Sequence, residues 1–442
     1  MIGFPCAIIL VFCQSTAMVE VEEAITTCSP PGNGAGPFWC YGAPLLLRLG
    51  DDVFVSAMET GEDVEPLCNT RWRIFRKHGQ GKWEMVQTAA EFKEREPCPI
   101  IGFQSGKIFL STNPSTQPPG TKYGPCDPHL LEFSGEDPSK PGIPVYASWD
   151  EGSVFTDHSY RGIAADGSRG EILALNIHAR SGEQFWSFRD ANGEWSRYGR
   201  IRFPIRSCYP QVALKDRSAH VLAIGDIVEP VKEWQAYKFE KSGRQWDYVF
   251  RRLFYTYAAD ITKSDFVEPI EVDNLDATAG HIRNLDLWID AEGSAHILYL
   301  KQTVQSKVMR DRFFPDVAMN TSLEYMVIRD GKIVKRSTLL KGGEGASDEI
   351  PGNARFHITG DGNLFVIYYC GGRDSKGNAV SENRLLQILP EIGKPIRLEF
   401  EKPFGMFFTA TERGGSAPSD VIDLFGSGRS SQELRYARIR LR

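Results

Sequence analysis

At 442 residues, 41% of them hydrophobic, the chain can bury a large core, either as one big all-β domain or as two or three smaller units. Its net charge of -6 and pI near 5.9 leave no basic excess, which excludes a general nucleic-acid binder and a polybasic membrane-surface protein.

The chain begins MIGFPCAIILVFCQSTAM, an apolar run too short to span a bilayer comfortably, followed by small residues at Ser15 to Ala17. It reads as a secretory signal peptide over residues 1–17, with the mature domain over 18–442. No Lys or Arg precedes the run, so a buried N-terminal strand is the competing reading. No later stretch looks transmembrane, and the expected location is secreted or periplasmic. Removing the signal leaves Cys28, Cys40, Cys68, Cys98, Cys126, Cys208 and Cys370. The odd number leaves at least one thiol unpaired. The spacing suits neither a disulfide scaffold nor a Cys-x-x-Cys zinc site, so one or two disulfides between Cys28 and Cys126 and buried free thiols both stay open.

A unit then recurs along the chain: an apolar strand, a Gly/Asp/Asn turn, a second apolar strand and a more amphipathic pair. Its first hairpin starts at Ala43, Pro99, Tyr160, Tyr209, Ile282 and Ala354, and in weaker form at Gly405. About seven such units of about 50 to 75 residues fit four-stranded propeller blades with loop insertions. The final unit offers about three strands, and VEVEEAITT near the start can supply the fourth. The predicted fold is all-β, a seven-bladed β-propeller whose ring closes by pairing the N- and C-terminal strands in one blade. A closed ring has no edge that compels association, so a monomer is expected. Trp83 and Trp195 each follow a Gly turn in a degenerate Asp-box pattern and read as packing residues. The insertion from Glu229 to Val249 is expected to lie over a propeller face.

Residues just before each first strand and just after each second strand converge around the axis of such a ring. They include Trp39, Tyr41 and Glu59, then His158, Tyr160, Arg161, His178 and Arg180, then Arg206, Cys208 and Tyr209, and finally His281, Arg283 and Arg355. Guanidinium groups grip carboxylates in bidentate fashion, aromatic faces stack on pyranose rings, and His or Tyr can exchange protons. The rim therefore suits an acidic polysaccharide or oligosaccharide. His158 and His178, one hairpin apart, are expected to share an edge.

The stretch Thr156-Asp157-His158-Ser159, Asn176-Ile177-His178, Cys208-Tyr209-Pro210-Gln211 and Gly280-His281-Ile282-Arg283-Asn284-Leu285-Asp286 resembles the BNR-repeat, sialidase-like propeller family that contains the ulvan lyases. That resemblance implies a seven-bladed propeller and β-elimination at a uronic acid. It makes His158 and His178 candidates for base and substrate-positioning group, Tyr209 for the acid or a second base, and Arg206 or Arg283 for neutralising the carboxylate. Trp39, Tyr41, Glu59, Tyr160, Arg161, Arg180, His281, Arg283 and Arg355 are the expected substrate-binding set. The lyases' structural zinc has no assignable ligands here, although Cys208 and the rim histidines offer donors, so the cofactor stays unknown. A sialidase-like hydrolase is the alternative enzyme, weakened by Phe203-Pro204-Ile205 where that family has Arg-Ile-Pro. A non-catalytic glycan- or protein-binding propeller is the other alternative.

Overall fold

The computed structural model describes residues 17–442 except Gly120, Lys122, Ser159, Ala179, Arg180, Gln245, Trp246 and Ser430. Seven four-stranded antiparallel sheets form a ring, each with its first strand innermost. The inner strands lie at Leu46–Leu49, Ile100–Gly102, Gly162–Asp166, Ser207–Lys215, His281–Ile289, Glu349–Ile358 and Met406–Thr409, which we number as blades 1 to 7.

The burial pattern follows from each strand's place in its blade. In blade 3, Gly162–Asp166 and Glu171–Ile177 are buried at every residue because other blades cover both faces. They read as continuous apolar runs for that reason. The outer strand Trp195–Ile201 alternates between half-buried and exposed positions over most of its length. Trp186, fully buried in the third strand, packs with Leu175, Val212 and Val221 between blades 3 and 4. A buried side chain of this class contributes about 1.5–3 kcal/mol.

Blade 7 takes three strands from the C-terminal end of the chain, and Ala17–Thr27 completes it, pairing with Glu433–Leu441 from Ala17 opposite Leu441 to Thr27 opposite Glu433. This is the predicted closure. Trp195 packs as expected: the Asp190 carboxylate accepts the Asn192 and Glu194 N–H groups in the turn, and Trp195 opens the next strand and packs with the cluster around Phe103 and Ile163. Trp83 packs edge-on against Tyr436, at 5.1 Å.

The insertion after blade 4's second strand forms a helix, Lys232–Ser242, and a two-residue ribbon of Ile227–Val228 with Tyr248–Val249. That helix packs Trp234 and Tyr237 against Phe313 and Phe314 at the end of a second short helix, Lys307–Phe313. No helix among the described residues is long and apolar enough to cross a membrane. The seven described cysteines are buried and unbridged.

Candidate functional site

Inner strands of blades 4, 5 and 6 each carry an irregularity near the end where they begin, between Cys208 and Gln211, Asn284 and Asp286, and Pro351 and Ala354. A bulge leaves backbone groups outside the ladder. Here carbonyls are taken up between blades. Asn284 Nδ2 donates to Tyr209 O at 2.7 Å, Gln211 Nε2 to Leu285 O at 3.0 Å, and Asn353 Nδ2 to Phe407 O at 2.9 Å. The same bulge swings Tyr209 toward the axis with φ 49°, while Tyr160 has φ 38°. A bulky residue in this region costs on the order of 1–3 kcal/mol, and such strain concentrates at functional sites.

Residues 36–44, rich in Gly, Pro and aromatics with no strand period, cross the axis as a plug. Phe38 packs on Phe408 and Phe425 of blade 7, and Tyr41 stacks on Tyr209 of blade 4 at 4.7 Å. The Tyr41 hydroxyl donates to Asn284 of blade 5 at 3.2 Å, and its carbonyl accepts from Arg355 of blade 6 at 2.7 Å. The Gly42 carbonyl accepts from Arg413, which is ion-paired with buried Asp286 at 3.0 Å. Glycine is required at position 42: a Cβ there would lie 2.4 Å from the Pro210 carbonyl oxygen.

Beside the plug, between blades 4 and 5, lies a cleft of about 570 Å³ whose walls include Phe38, Trp39, Tyr41, Tyr209, Phe250, His281, Arg283 and Met406. Its lining contains no Asp or Glu. The Arg283 guanidinium lies over the Tyr41 ring at 4.6 Å and donates to Met406 Sδ at 3.1 Å. No carboxylate is within ion-pair distance of it among the described residues. Trp39 Nε1, His281 Nδ1 and Arg283 Nε have no hydrogen-bond partner. Burial, reinforced by Arg283 and Arg251, pulls the His281 pKa down to about 4, so the imidazole is neutral at neutral pH. Burial pushes the Tyr209 phenol well above its usual pKa, so it keeps its proton.

The other predicted residues are distributed around this cleft. Tyr160 contacts Tyr209 edge-on at 5.0 Å, and His158 lies against Tyr160 at 5.9 Å. His158 Nδ1 accepts from Arg95 at 2.5 Å. Guanidinium has donors alone, so the neutral ring carries its proton on Nε2 and offers a donor there. Burial, Arg95 and Arg206 lower the His158 pKa to about 4. Arg206 packs over Tyr160 and Tyr248 and is committed to Asp226.

His178 does not join His158. Its Nδ1 accepts the Ser181 N–H at 3.0 Å and its ring lies beside Phe185, and no bond or ring contact links the two histidines among the described residues. Both histidines leave the same end of the blade 3 hairpin, as expected, but their rings sit in separate environments, because the turn after the second strand closes on His178 itself. Arg161 is buried with Glu94 at 3.5 Å and Pro97 O at 2.9 Å. Glu59 pairs with Arg71 at 2.5 Å within blade 1. Arg355, 1% exposed, spends its guanidinium on the carbonyls of Tyr41, Leu285 and Phe407, so it pins the plug where a substrate contact was expected. Arg180 lies outside the described residues. Cys208 is fully buried beside Asp226, and no group of three or more His, Cys, Asp or Glu among the described residues is arranged to hold a metal ion.

Phe38, Phe250 and Met406 were absent from the predicted set. Phe38 shares a non-periodic aromatic segment with Trp39 and Tyr41, and Phe250 follows the insertion expected to cover a face; both were discernible signals. Met406 carried none.

No family model matches the chain, and no curated protein matches it. Among solved structures it is similar to the Penicillium chrysogenum α-L-arabinanase with arabinobiose, at 11% identity over 96% of this chain and 98% of that one, TM-score 0.40. It is also similar to a Synechocystis apocarotenoid oxygenase, at 12% identity over 94% and 88%, TM-score 0.45. The polysaccharide lyase Uly1 matches at 9% identity over 77% and 89%, TM-score 0.34. The three perform different chemistries, and at these scores the likeness assigns none of them to this chain.

Proposed function

We propose that this is a secreted carbohydrate-active propeller that takes an acidic sugar chain in the cleft between the plug and blades 4 and 5, and cleaves it by β-elimination. The observation that carries the reading is Arg283, a guanidinium without a counter-ion on an aromatic wall next to a neutral imidazole. An anionic ligand with a flat apolar face supplies what that wall lacks.

In this reading Arg283 neutralises the uronate carboxylate and so acidifies the C5 proton. His281 accepts that proton, and the Tyr209 hydroxyl, which keeps its own proton, donates to the departing glycosidic oxygen. Trp39, Tyr41 and Phe250 hold the ring. His158 and Arg206 flank the site through Tyr160. Elimination is favoured over hydrolysis because a glycosidase of the common type needs two carboxyl groups on the cleft, and the lining offers none.

The test is near-ultraviolet absorbance, which reports the unsaturated product, on a panel of uronic-acid polysaccharides including ulvan. We expect absorbance growth on at least one, reduced at least 100-fold in His281→Gln and Arg283→Met and within a few-fold of wild type in His178→Ala. Growth that survives Arg283→Met, or no growth on any substrate, sinks the lyase reading. Retained glycan binding without growth, lost in Arg283→Met, would leave a binding propeller using the same cleft.

A further inference from the structure

A second guanidinium without a counter-ion stands at the same end of the ring, on the seam between blades 6 and 7. Arg429 follows the second strand of blade 7, Val421–Ser427, and lies over the Tyr369 ring at 5.0 Å. Tyr369, 3% exposed, is near the end of blade 6's second strand, Leu364–Arg373. Its hydroxyl shares a hydrogen bond with the Ser381 hydroxyl at 3.0 Å, and its ring presses on the backbone at Gly352, where a Cβ would stand 2.8 Å from Cδ1. The arginine therefore has a fixed seat. Arg429 itself is exposed, and among the described residues no carboxylate lies within ion-pair distance of it. Glu433, in the strand that follows, pairs with Lys402 at 3.4 Å, and Arg435 of that strand has Glu22 at 2.7 Å.

A surface arginine is ordinarily solvated and carries little meaning alone. Two features set Arg429 apart. A guanidinium resting on an immobile ring is oriented while its N–H donors stay free for an oxyanion. The second feature is its position relative to Arg283. Arg283 donates to Met406 Sδ at 3.1 Å, and Arg429 packs on the preceding residue, Gly405, where a Cβ would stand 2.9 Å from Arg429 Cγ. Their contact points are consecutive residues, whose Cα atoms are about 3.8 Å apart. The two unmatched charges thus flank one residue pair at the start of blade 7's inner strand.

We propose that Arg429 on Tyr369 is a second anion subsite, taking an oxyanion, either a carboxylate or a sulfate half-ester, from a further unit of the acidic chain whose first charge sits on Arg283. This rests on the sugar reading and narrows it. The ligand is a polyanion charged on more than one unit, and it runs from the cleft past Met406 to the blade 6–7 seam. The oxyanion accepts from the guanidinium in bidentate fashion, while Tyr369, too buried to stack on a sugar, holds the arginine in place.

The experiment is calorimetric titration of the full chain with a carboxylate-only polyuronate, with ulvan as a sulfated uronic-acid chain, and with uronic-acid oligosaccharides of graded length. The variants are Arg429→Met, Arg283→Met and, as a comparison, Arg373→Met, whose guanidinium is spent on Gly377 O at 2.8 Å. Thermal unfolding checks that each is folded. Arg429→Met should weaken binding of long chains about 10-fold, the loss of one charge-assisted contact, and leave the shortest bound oligosaccharide within about two-fold of wild type. Arg373→Met should bind as wild type. A loss confined to ulvan assigns the subsite to sulfate, and an equal loss on both polymers assigns it to carboxylate. Long-chain binding unchanged in Arg429→Met but abolished in Arg283→Met overturns the subsite and leaves the cleft standing, as does an equal loss at every chain length. No binding of any acidic glycan by wild type overturns the sugar reading and the subsite together.

Discussion

Two walls at the end of the ring where the inner strands begin, one beside blades 2 and 3 and one beside blades 4 and 5, are built from the same residue types and solve opposite problems. On the blade 2–3 side the described rim guanidiniums have carboxylates: Arg95 with Asp157 at 3.1 Å, Arg161 with Glu94 at 3.5 Å, and, toward blade 4, Arg206 with Asp226. On the blade 4–5 side Arg283 faces aromatic rings, and its neighbours His281 and Trp39 hold nitrogens without partners. Charge that is matched inside the protein fixes architecture, whereas charge left unmatched beside an aromatic cleft is available to something that binds. The location of a site thus depends less on where Arg and His are numerous than on where their partners are missing.

One substitution applied to each wall tests this contrast most severely. Arg161→Met removes the cation paired with buried Glu94, leaving its carboxylate with the Asn113 N–H and the neighbouring Cys98 thiol, and should cost about 3 kcal/mol or more. Arg283→Met removes no ion pair and should cost less than about 1 kcal/mol while abolishing anionic-ligand binding. Denaturant unfolding of both variants measures the difference. Equal losses would erase the distinction between the walls.

The ring itself was legible in the sequence. Inner strands are covered on both faces and therefore read as apolar runs, outer strands alternate, and Asp/Gly turns mark the corners, so the hairpins from Ala43 to Gly405 and the closing strand could be placed. The plug was not legible, because residues 36–44 have no period and their partners lie far along the chain: the Tyr41 hydroxyl meets Asn284, 243 positions away. Arg355 misled for the same reason. It precedes nothing in sequence that reveals three carbonyls waiting for it, two of them presented by neighbouring blades and one by the plug. His158 and His178 occupy equivalent hairpin ends as expected, yet local turn geometry turned one imidazole onto Ser181 and Arg95 captured the other.

A gentler perturbation acts on the open wall alone. Gly42→Ala places a methyl group against the Pro210 carbonyl, forcing the plug away from blade 4 and with it the Tyr41 ring that supports Arg283. The expected loss is about 2 kcal/mol of stability, together with a drop in ligand affinity, while the Arg95 wall keeps its contacts. Thermal unfolding and glycan titration of the same sample report the two effects. Unchanged affinity in a destabilised variant would show that the plug supports the fold without shaping the cleft.

The smallest effect separates the walls by pH. His281 has a folded pKa of about 4 against an unfolded value near 6.5, so between those values the unfolded chain binds a proton that the folded chain refuses. Its contribution is therefore fully present above pH 6.5 and is lost as pH falls toward 4. His281→Gln, neutral throughout, should flatten that part of the stability curve by about 1–2 kcal/mol between pH 6.5 and 5. His158 titrates in the same direction, but a third of its side chain is exposed, so water screens the charge and His158→Gln should flatten the curve less. Glu94, Asp157 and Asp226, with pKa values raised by burial, work the opposite way and gain protons on folding as pH falls. All three belong to the paired wall. Acid should thus loosen the cleft before it loosens the opposite side, and hydrogen exchange at pH 5 would read it as faster opening around His281 than around Asp157.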